Sequence, residues 1–172
     1  MMLLADTPET SPAYRAGGAT LFLAVAVILA ALGFQYIGGF APCPLCLEQR
    51  YAYYAGIPLL FFAMALGAEM PRVAACIFFA IALAFLANAG LATYHAGVEW
   101  KFWPGPDTCG TAQALPPSAA DLLAEAEATL VVRCDEAALR IAGLSLAGWN
   151  VVMSMLAFTG ALRAAFFSLP NP

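Results

Sequence analysis

The chain has 172 residues, of which 63% are hydrophobic and 10% charged, and its formal net charge at pH 7 is −4. This composition is typical of a membrane protein and leaves little room for a soluble domain. The negative charge and the absence of a phosphate-binding glycine motif argue against nucleic acid as a partner.

Four stretches of the sequence carry no Asp, Glu, Lys or Arg. A helix that crosses a bilayer requires about 20 mostly apolar residues, and each stretch can hold one. We therefore predict an all-α, polytopic membrane protein in which residues 1–172 form a single domain. The predicted transmembrane helices are residues 17–37, 47–67, 73–94 and 144–167. Small residues recur in all four, which favours a compact four-helix bundle.

The first predicted helix is longer than the apolar region of a signal peptide, so we expect it to be retained. Gly38 and Gly39 end this helix. Pro58 lies inside the second predicted helix and predicts a kink. Pro71 suits the first turn of the third.

A Cys-x-x-Cys motif precedes the second predicted helix. Cys43 and Cys46 are two thiols that can close a small, reducible ring. A helix start and a nearby guanidinium both lower the pKa of a thiol. Arg50 follows Cys46 by four residues and shares its helix face. The motif therefore predicts dithiol–disulfide chemistry at a membrane surface, although Arg50 alone could also be an arginine that reaches to lipid headgroups.

The third and fourth predicted helices are joined by a long segment, residues 95–143, which contains Cys109 and Cys134. Connections of this length usually carry function or are disordered. Its stretch from Ser118 to Leu130 has the pattern of a short amphipathic helix, which would lie either on the membrane or against the protein.

Charged residues do not decide the orientation, because Arg and Lys occur on both sides of the predicted membrane. All four loop cysteines fall on one side, and disulfides persist in oxidising compartments such as the periplasm. We therefore expect periplasmic loops at 38–46 and 95–143 and cytoplasmic termini. The fifth cysteine, Cys76, lies within the third helix, where a small apolar side chain is unremarkable.

Other classes of protein fit the cysteines less well. A zinc site with four cysteines usually pairs two short motifs, but Cys109 and Cys134 are far apart, so we expect no metal. A haem attachment motif requires His where Leu47 stands. In a vitamin K epoxide reductase-like enzyme the Cys-x-x-Cys motif precedes or lies within the last span. Here it precedes the second span, which argues against that class. A membrane scaffold or transporter with structural disulfides is the main alternative, although its spans would usually contain acidic or lysine residues.

The segment Pro42–Arg50, the two loop cysteines and the four-span pattern together resemble the DsbB family of bacterial inner-membrane disulfide-generating proteins. The resemblance implies an inner-membrane thiol:quinone oxidoreductase. Such an enzyme reoxidises a periplasmic, DsbA-like oxidase of thioredoxin fold and passes the electrons to ubiquinone or menaquinone.

The resemblance also implies roles for individual residues. Cys43 and Cys46 are expected to face the quinone. Cys109 and Cys134 are expected to exchange with the partner, whose cysteine attacks Cys109. Arg50 and His95 are expected to contribute to quinone binding, although His95 could equally be an interfacial polar residue. Four cysteines allow three disulfide connectivities, and the sequence does not distinguish between them.

Overall fold

The computed structural model describes residues 11–106, 109 and 133–169. Four helices account for most of these residues. They are α1 (Pro12–Tyr36), α2 (Pro44–Leu66), α3 (Pro71–Glu99) and α4 (Leu146–Ser168). A short antiparallel hairpin precedes α4 and consists of β1 (Arg140–Ile141) and β2 (Leu144–Ser145). The predicted amphipathic helix at 118–130 lies outside the described residues.

Three of the helices, α1, α3 and α4, are long and apolar enough to cross a bilayer. The chain is therefore a multi-pass membrane protein. The remaining helix, α2, has a lower mean hydropathy because its first turns contain Glu48, Gln49 and Arg50. That α2 also crosses the membrane stays a prediction.

Each of these four helices packs against two others. Both α1 and α3 contact α2 and α4. Phe78 and Phe85 of α3 share one buried cluster with alanines from the other three helices. The alanines are Ala24, Ala63, Ala157, Ala161, Ala164 and Ala165. Small side chains let helices approach closely in lipid. Large apolar residues such as Phe22, Phe61 and Phe79 point outward instead, as expected of a surface that faces lipid.

Local signals explain where the helices begin. The Ser11 hydroxyl accepts a hydrogen bond from the backbone N–H of Tyr14 at 3.2 Å, and Pro12 occupies the first turn. This combination starts α1 five residues before the predicted boundary. In the same way, the Ser145 hydroxyl accepts from the N–H of Gly148 at 3.1 Å and starts α4.

The helix α3 continues to Glu99, beyond the predicted end at residue 94. It ends in a Schellman motif, in which Lys101 adopts a φ of 62°. The N–H of Phe102 donates to the Gly97 carbonyl at 2.9 Å, and that of Lys101 donates to the Val98 carbonyl at 3.0 Å. No helix-ending signal precedes Lys101, so His95 lies inside the helix and the connecting segment begins later than expected.

The chain then folds back along α3. The ring of Trp103 stacks on Tyr94 with centroids 6.1 Å apart, and its Nε1 donates to the Tyr94 carbonyl at 2.9 Å. The same ring covers Gly97, where a Cβ atom would overlap it. The absence of a side chain at Gly97 therefore lets the loop lie against the last turns of α3.

The hairpin was not predicted from the sequence. Its turn residues, Ala142 and Gly143, have φ values of 50° and 85°. A two-residue hairpin turn of type I′ requires positive φ at both positions. Each strand has only two residues, which is too short for an alternating pattern to be visible.

We expect Gly97→Ala to destabilise the protein by about 1–3 kcal/mol, because the new methyl group collides with the buried side of Trp103. Gly90→Ala is the matched control, since a Cβ at Gly90 of the same helix meets nothing within 4 Å. Thermal unfolding in detergent, followed by circular dichroism, measures both. Equal midpoints for the two variants would show that Trp103 does not rest on α3.

Candidate functional site

Cys43 and Cys46 lie at the start of α2. Cys43 is the N-cap residue, and its Sγ accepts the backbone N–H of Cys46 at 3.2 Å. Both are free thiols, and their sulfur atoms are 2.7 Å apart. The hydrogen bond that Cys43 donates to Cys46, together with burial, raises the pKa of the Cys43 thiol. Cys46 is therefore the residue of the pair that more readily becomes a thiolate.

Cys109 and Cys134 form a disulfide that joins positions 25 residues apart in the sequence. Both are buried, in one cluster with Cys43 and Leu45. Cys46 packs against this cluster from its edge. The structure thus brings the four loop cysteines together and leaves Cys76 exposed on α3, outside the cluster.

Ion pairs hold the segment that follows this disulfide. The Asp135 carboxylate contacts Lys101 at 2.5 Å and Arg133 at 2.9 Å. Hydrogen bonds from Arg133 and Lys101 hold the pKa of this carboxyl well below its usual range. The residue after Cys134 is thereby tied to the C-terminal end of α3.

His95 lies beside the Cys-x-x-Cys pair. It projects from α3 and is 2% exposed. Its Nε2 is 3.6 Å from the Sγ of Cys43 and 3.8 Å from an oxygen of Glu99, one turn further along the helix. Its Nδ1 is 2.9 Å from the side-chain nitrogen of Gln49. The ring therefore contacts α2 through one nitrogen and the cysteine pair through the other.

A chain of hydrogen bonds orients the His95 ring. The Tyr53 hydroxyl donates to Asn150 Oδ1 at 2.6 Å, and Asn150 Nδ2 donates to Gln49 Oε1 at 2.6 Å. Gln49 Nε2 is then left to donate to His95 Nδ1. Because Nδ1 accepts, the neutral imidazole carries its proton on Nε2, next to Cys43. Ser154 and Asn88 extend the network away from the site.

Sequence reasoning missed Gln49, Asn150 and Tyr53 as parts of this site. A signal was available, since a polar side chain inside a membrane helix is expensive and usually has a partner. The sequence did not reveal which partner each one has, because Gln49 and Asn150 are 101 residues apart.

A largely apolar cavity of about 300 Å³ opens beside Cys46. Its walls come mainly from α1 and α4 and include Val27, Ile28, Phe34, Ala147 and Met153. Cys46, Gln49, Arg50 and His95 also line it. Cys43 does not, so the two thiols of the pair face different surroundings: Cys43 the buried disulfide, Cys46 the cavity.

Arg50 is held in the cavity wall by α1. One guanidinium nitrogen donates to Gln35 Oε1 at 2.5 Å, and another lies 3.5 Å from the Ala31 carbonyl. Among the ion pairs between described residues, none involves Arg50. Its positive charge therefore lies in the cavity wall and is not neutralised by an ion pair with a described carboxylate.

The sequence matches the model of a known protein family. The model described as "Disulfide bond formation protein DsbB" matches residues 15–164. The chain belongs to the DsbB family. This match confirms the resemblance that the motif and the four-span pattern indicated. It covers all four loop cysteines, Arg50 and His95.

A curated relative of the chain is Disulfide bond formation protein B of Herminiimonas arsenicoxydans. It is 40% identical over 80 residues, which is 46% of this chain and 45% of that protein. The match therefore covers less than half of the length of this relative. No solved structure is a significant match to the chain.

Tyr53→Phe tests the hydrogen-bond chain to His95. The change removes the donor to Asn150 from a residue that is 2% exposed, so we expect a loss of about 0.5–2 kcal/mol in stability. Tyr54→Phe is the control, because Tyr54 is 47% exposed and faces outward. Denaturation of the two variants in the same detergent measures the difference. An unchanged Tyr53→Phe protein would mean that the chain contributes nothing to the fold.

Proposed function

We propose that the protein is a thiol:quinone oxidoreductase that reoxidises a periplasmic, DsbA-like thiol oxidase and so generates disulfides. The observation that carries this proposal is the contact between two cysteine pairs, of which one borders an apolar cavity. The family match and the relative's name, both of which refer to disulfide bond formation, support it.

The proposed arrangement in the membrane has four spans. The helix α2 crosses with α1, α3 and α4, and the whole chain forms one bundle in the bacterial inner membrane. Its apolar second half, which includes exposed Phe61 and Phe62, suits contact with lipid. The loops that contain the cysteines face the periplasm and the termini face the cytoplasm, because the disulfide chemistry requires an oxidising compartment.

The first step is an exchange with the partner. A thiolate of the reduced partner attacks Cys109, the bond to Cys134 breaks, and Cys134 leaves as a thiolate. The second thiol of the partner then attacks the mixed disulfide. The partner departs with its own disulfide, and Cys109 and Cys134 are left as a reduced pair.

The second step is internal. With Cys43 and Cys46 joined by a disulfide, the Cys134 thiolate attacks Cys43, and Cys46 leaves as a thiolate. Cys109 then attacks the Cys43–Cys134 bond, which restores the loop disulfide and leaves Cys43 and Cys46 reduced. The location of Cys43 in the buried cluster supports this direction of attack. The proton that Cys109 loses when it attacks is taken up by Cys43, and the Nε2–H of His95, 3.6 Å from Cys43 Sγ, is placed to stabilise the Cys43 thiolate before that proton arrives.

The residues around the cavity fit a quinone. A volume of about 300 Å³ accommodates one substituted ring, and the apolar walls suit its hydrocarbon tail. Cys46, Arg50 and His95 would hold the ring end. A ubiquinone or menaquinone there supplies an acceptor for two electrons and two protons. Arg50, positioned by Gln35, contributes a fixed positive charge where negative charge develops.

A scaffold or transporter with structural disulfides is the alternative. The location of Cys43 and Cys46 beside a histidine and an apolar cavity favours the redox function, since a purely structural disulfide needs neither.

Replacing any one of Cys43, Cys46, Cys109 or Cys134 by Ser is expected to reduce turnover to the background rate, because each pair needs both sulfurs. Cys76→Ser is the control and should retain turnover, since Cys76 is exposed outside the cluster. The assay follows the absorbance of a soluble quinone in the presence of a reduced thioredoxin-fold oxidase. Full turnover by Cys109→Ser would refute the relay through two pairs.

Arg50 is expected to act on quinone affinity. Arg50→Lys keeps the charge and should weaken apparent quinone affinity by about tenfold, whereas Arg50→Met removes the charge and should weaken it by about a hundredfold. Arg72→Met, an exposed change at the start of α3, serves as the control. The quinone dependence of turnover measures these effects.

Single-turnover exchange between the partner and the Cys109–Cys134 disulfide, measured without quinone, should stay unchanged in the Arg50 variants. Wild-type quinone dependence in Arg50→Met would show that the arginine only anchors the helix.

A further inference from the structure

The Cys-x-x-Cys pair and His95 form a cluster whose geometry is that of a metal site. The two sulfur atoms and a ring nitrogen all lie within 4.8 Å of one another. In tetrahedral zinc sites the Zn–S distance is about 2.3 Å and the Zn–N distance about 2.0 Å, which separates sulfur from nitrogen by about 3.6 Å. The distance between Cys43 Sγ and His95 Nε2 is 3.6 Å. These two atoms are therefore already spaced as neighbouring ligands.

Glu99 lies beside these three atoms and can supply a fourth donor after a movement of its side chain, since neither of its oxygens is within 4.8 Å of all three. Its side chain is 6% exposed, and one oxygen lies 3.8 Å from His95 Nε2. The other oxygen, Oε2, is buried and accepts no hydrogen bond from a described residue. A buried carboxylate oxygen without a partner is costly, and a cation would satisfy it. The Ser145 side chain hydrogen-bonds to the carboxylate, and the charge of Arg140 in β1 attracts it, although Arg140 forms no direct ion pair with Glu99 among the described residues.

We propose that reduced Cys43 and Cys46, with His95 and Glu99, bind one soft divalent cation of the zinc class. This ligand set differs from the four-cysteine site that sequence spacing excluded, because Cys109 and Cys134 are joined to each other. Two thiolates, one imidazole and one carboxylate complete a tetrahedral set.

Binding requires a rearrangement at each ligand. The His95 proton must move from Nε2 to Nδ1 so that Nε2 can bind the ion, and the Gln49 amide must turn so that its oxygen accepts from Nδ1. A carboxylate oxygen of Glu99 must approach the sulfur atoms. The sulfur atoms must move from 2.7 Å apart to the roughly 3.7 Å that two zinc-bound thiolates require. Cys46 has room for this movement because it borders the cavity. Both thiols lose their protons to solvent when the ion binds.

The site exists only when the pair is reduced. A disulfide between Cys43 and Cys46 removes both thiolate ligands, so the oxidised protein cannot hold the ion in this way. Conversely, thiolates bound to a cation are not available as electron donors. This second consequence rests on the proposed function: the cation would halt turnover at the dithiol stage.

The experiment uses Cd²⁺, whose bonds to thiolates give an ultraviolet charge-transfer band. The full chain in detergent carries Cys76→Ser, Cys109→Ser and Cys134→Ser, so that the only thiols are those of the pair, and it is titrated after reduction. We expect one Cd²⁺ per chain, displaceable by Zn²⁺, and no band after oxidation of the pair.

Glu99→Gln and His95→Gln, each added to this background, should weaken Cd²⁺ binding by about 10- to 100-fold, in the range seen when support of a metal site is removed. Glu48→Gln is the matched control, because Glu48 is an exposed carboxylate on α2 close to Cys46 in sequence. Thermal unfolding without metal establishes that each variant is folded, and an unfolded variant is replaced by His95→Asn or Glu99→Asp. Equal affinity in all variants would identify ordinary chelation by two thiols and overturn the proposal.

Turnover separates this proposal from the proposed function. Selective Cd²⁺ binding in a protein that lacks quinone reductase activity would retain the metal site and refute the enzyme. Turnover by the wild-type protein that saturating Zn²⁺ does not slow would retain the enzyme and refute occupation of its reduced pair.

Discussion

A polar side chain buried between the helices of a membrane protein has no water to bond, so it must find a partner within the protein. Gln49, Tyr53 and Asn150 meet this requirement through one another, and the chain they form ends on His95. These bonds connect α2, α3 and α4 at a single level. The orientation of the imidazole, and through it the surroundings of Cys43, depends on this chain.

The two cysteines of the Cys-x-x-Cys motif have different surroundings. Cys43 belongs to a buried cluster with the loop disulfide, and Cys46 faces an apolar cavity. The cavity wall is completed by α1, whose Gln35 holds the Arg50 side chain. A thiol pair at a helix start can therefore contact two different reactants, one through each sulfur, without a movement of whole helices.

Much of this architecture could be predicted from the sequence, because charge-free runs locate apolar helices and the Cys-x-x-Cys motif with Arg50 indicates redox chemistry. The ends of helices were less predictable: α3 runs on to Glu99 because its stop is a left-handed Lys101 rather than a glycine. Contacts between distant segments were not predictable at all. Gln49 and His95 are 46 residues apart, and only the packing of α2 on α3 brings them together.

Cys43 has a second role that links sulfur chemistry to the backbone. Its Sγ is the cap of α2 and accepts the amide of Cys46. A thiolate accepts such a bond more strongly than a thiol or a disulfide sulfur does. Every change in bonding at Cys43 therefore alters how firmly the first turn of α2 is wound. The rate of hydrogen exchange at the Cys46 amide should therefore depend on the oxidation state of the pair.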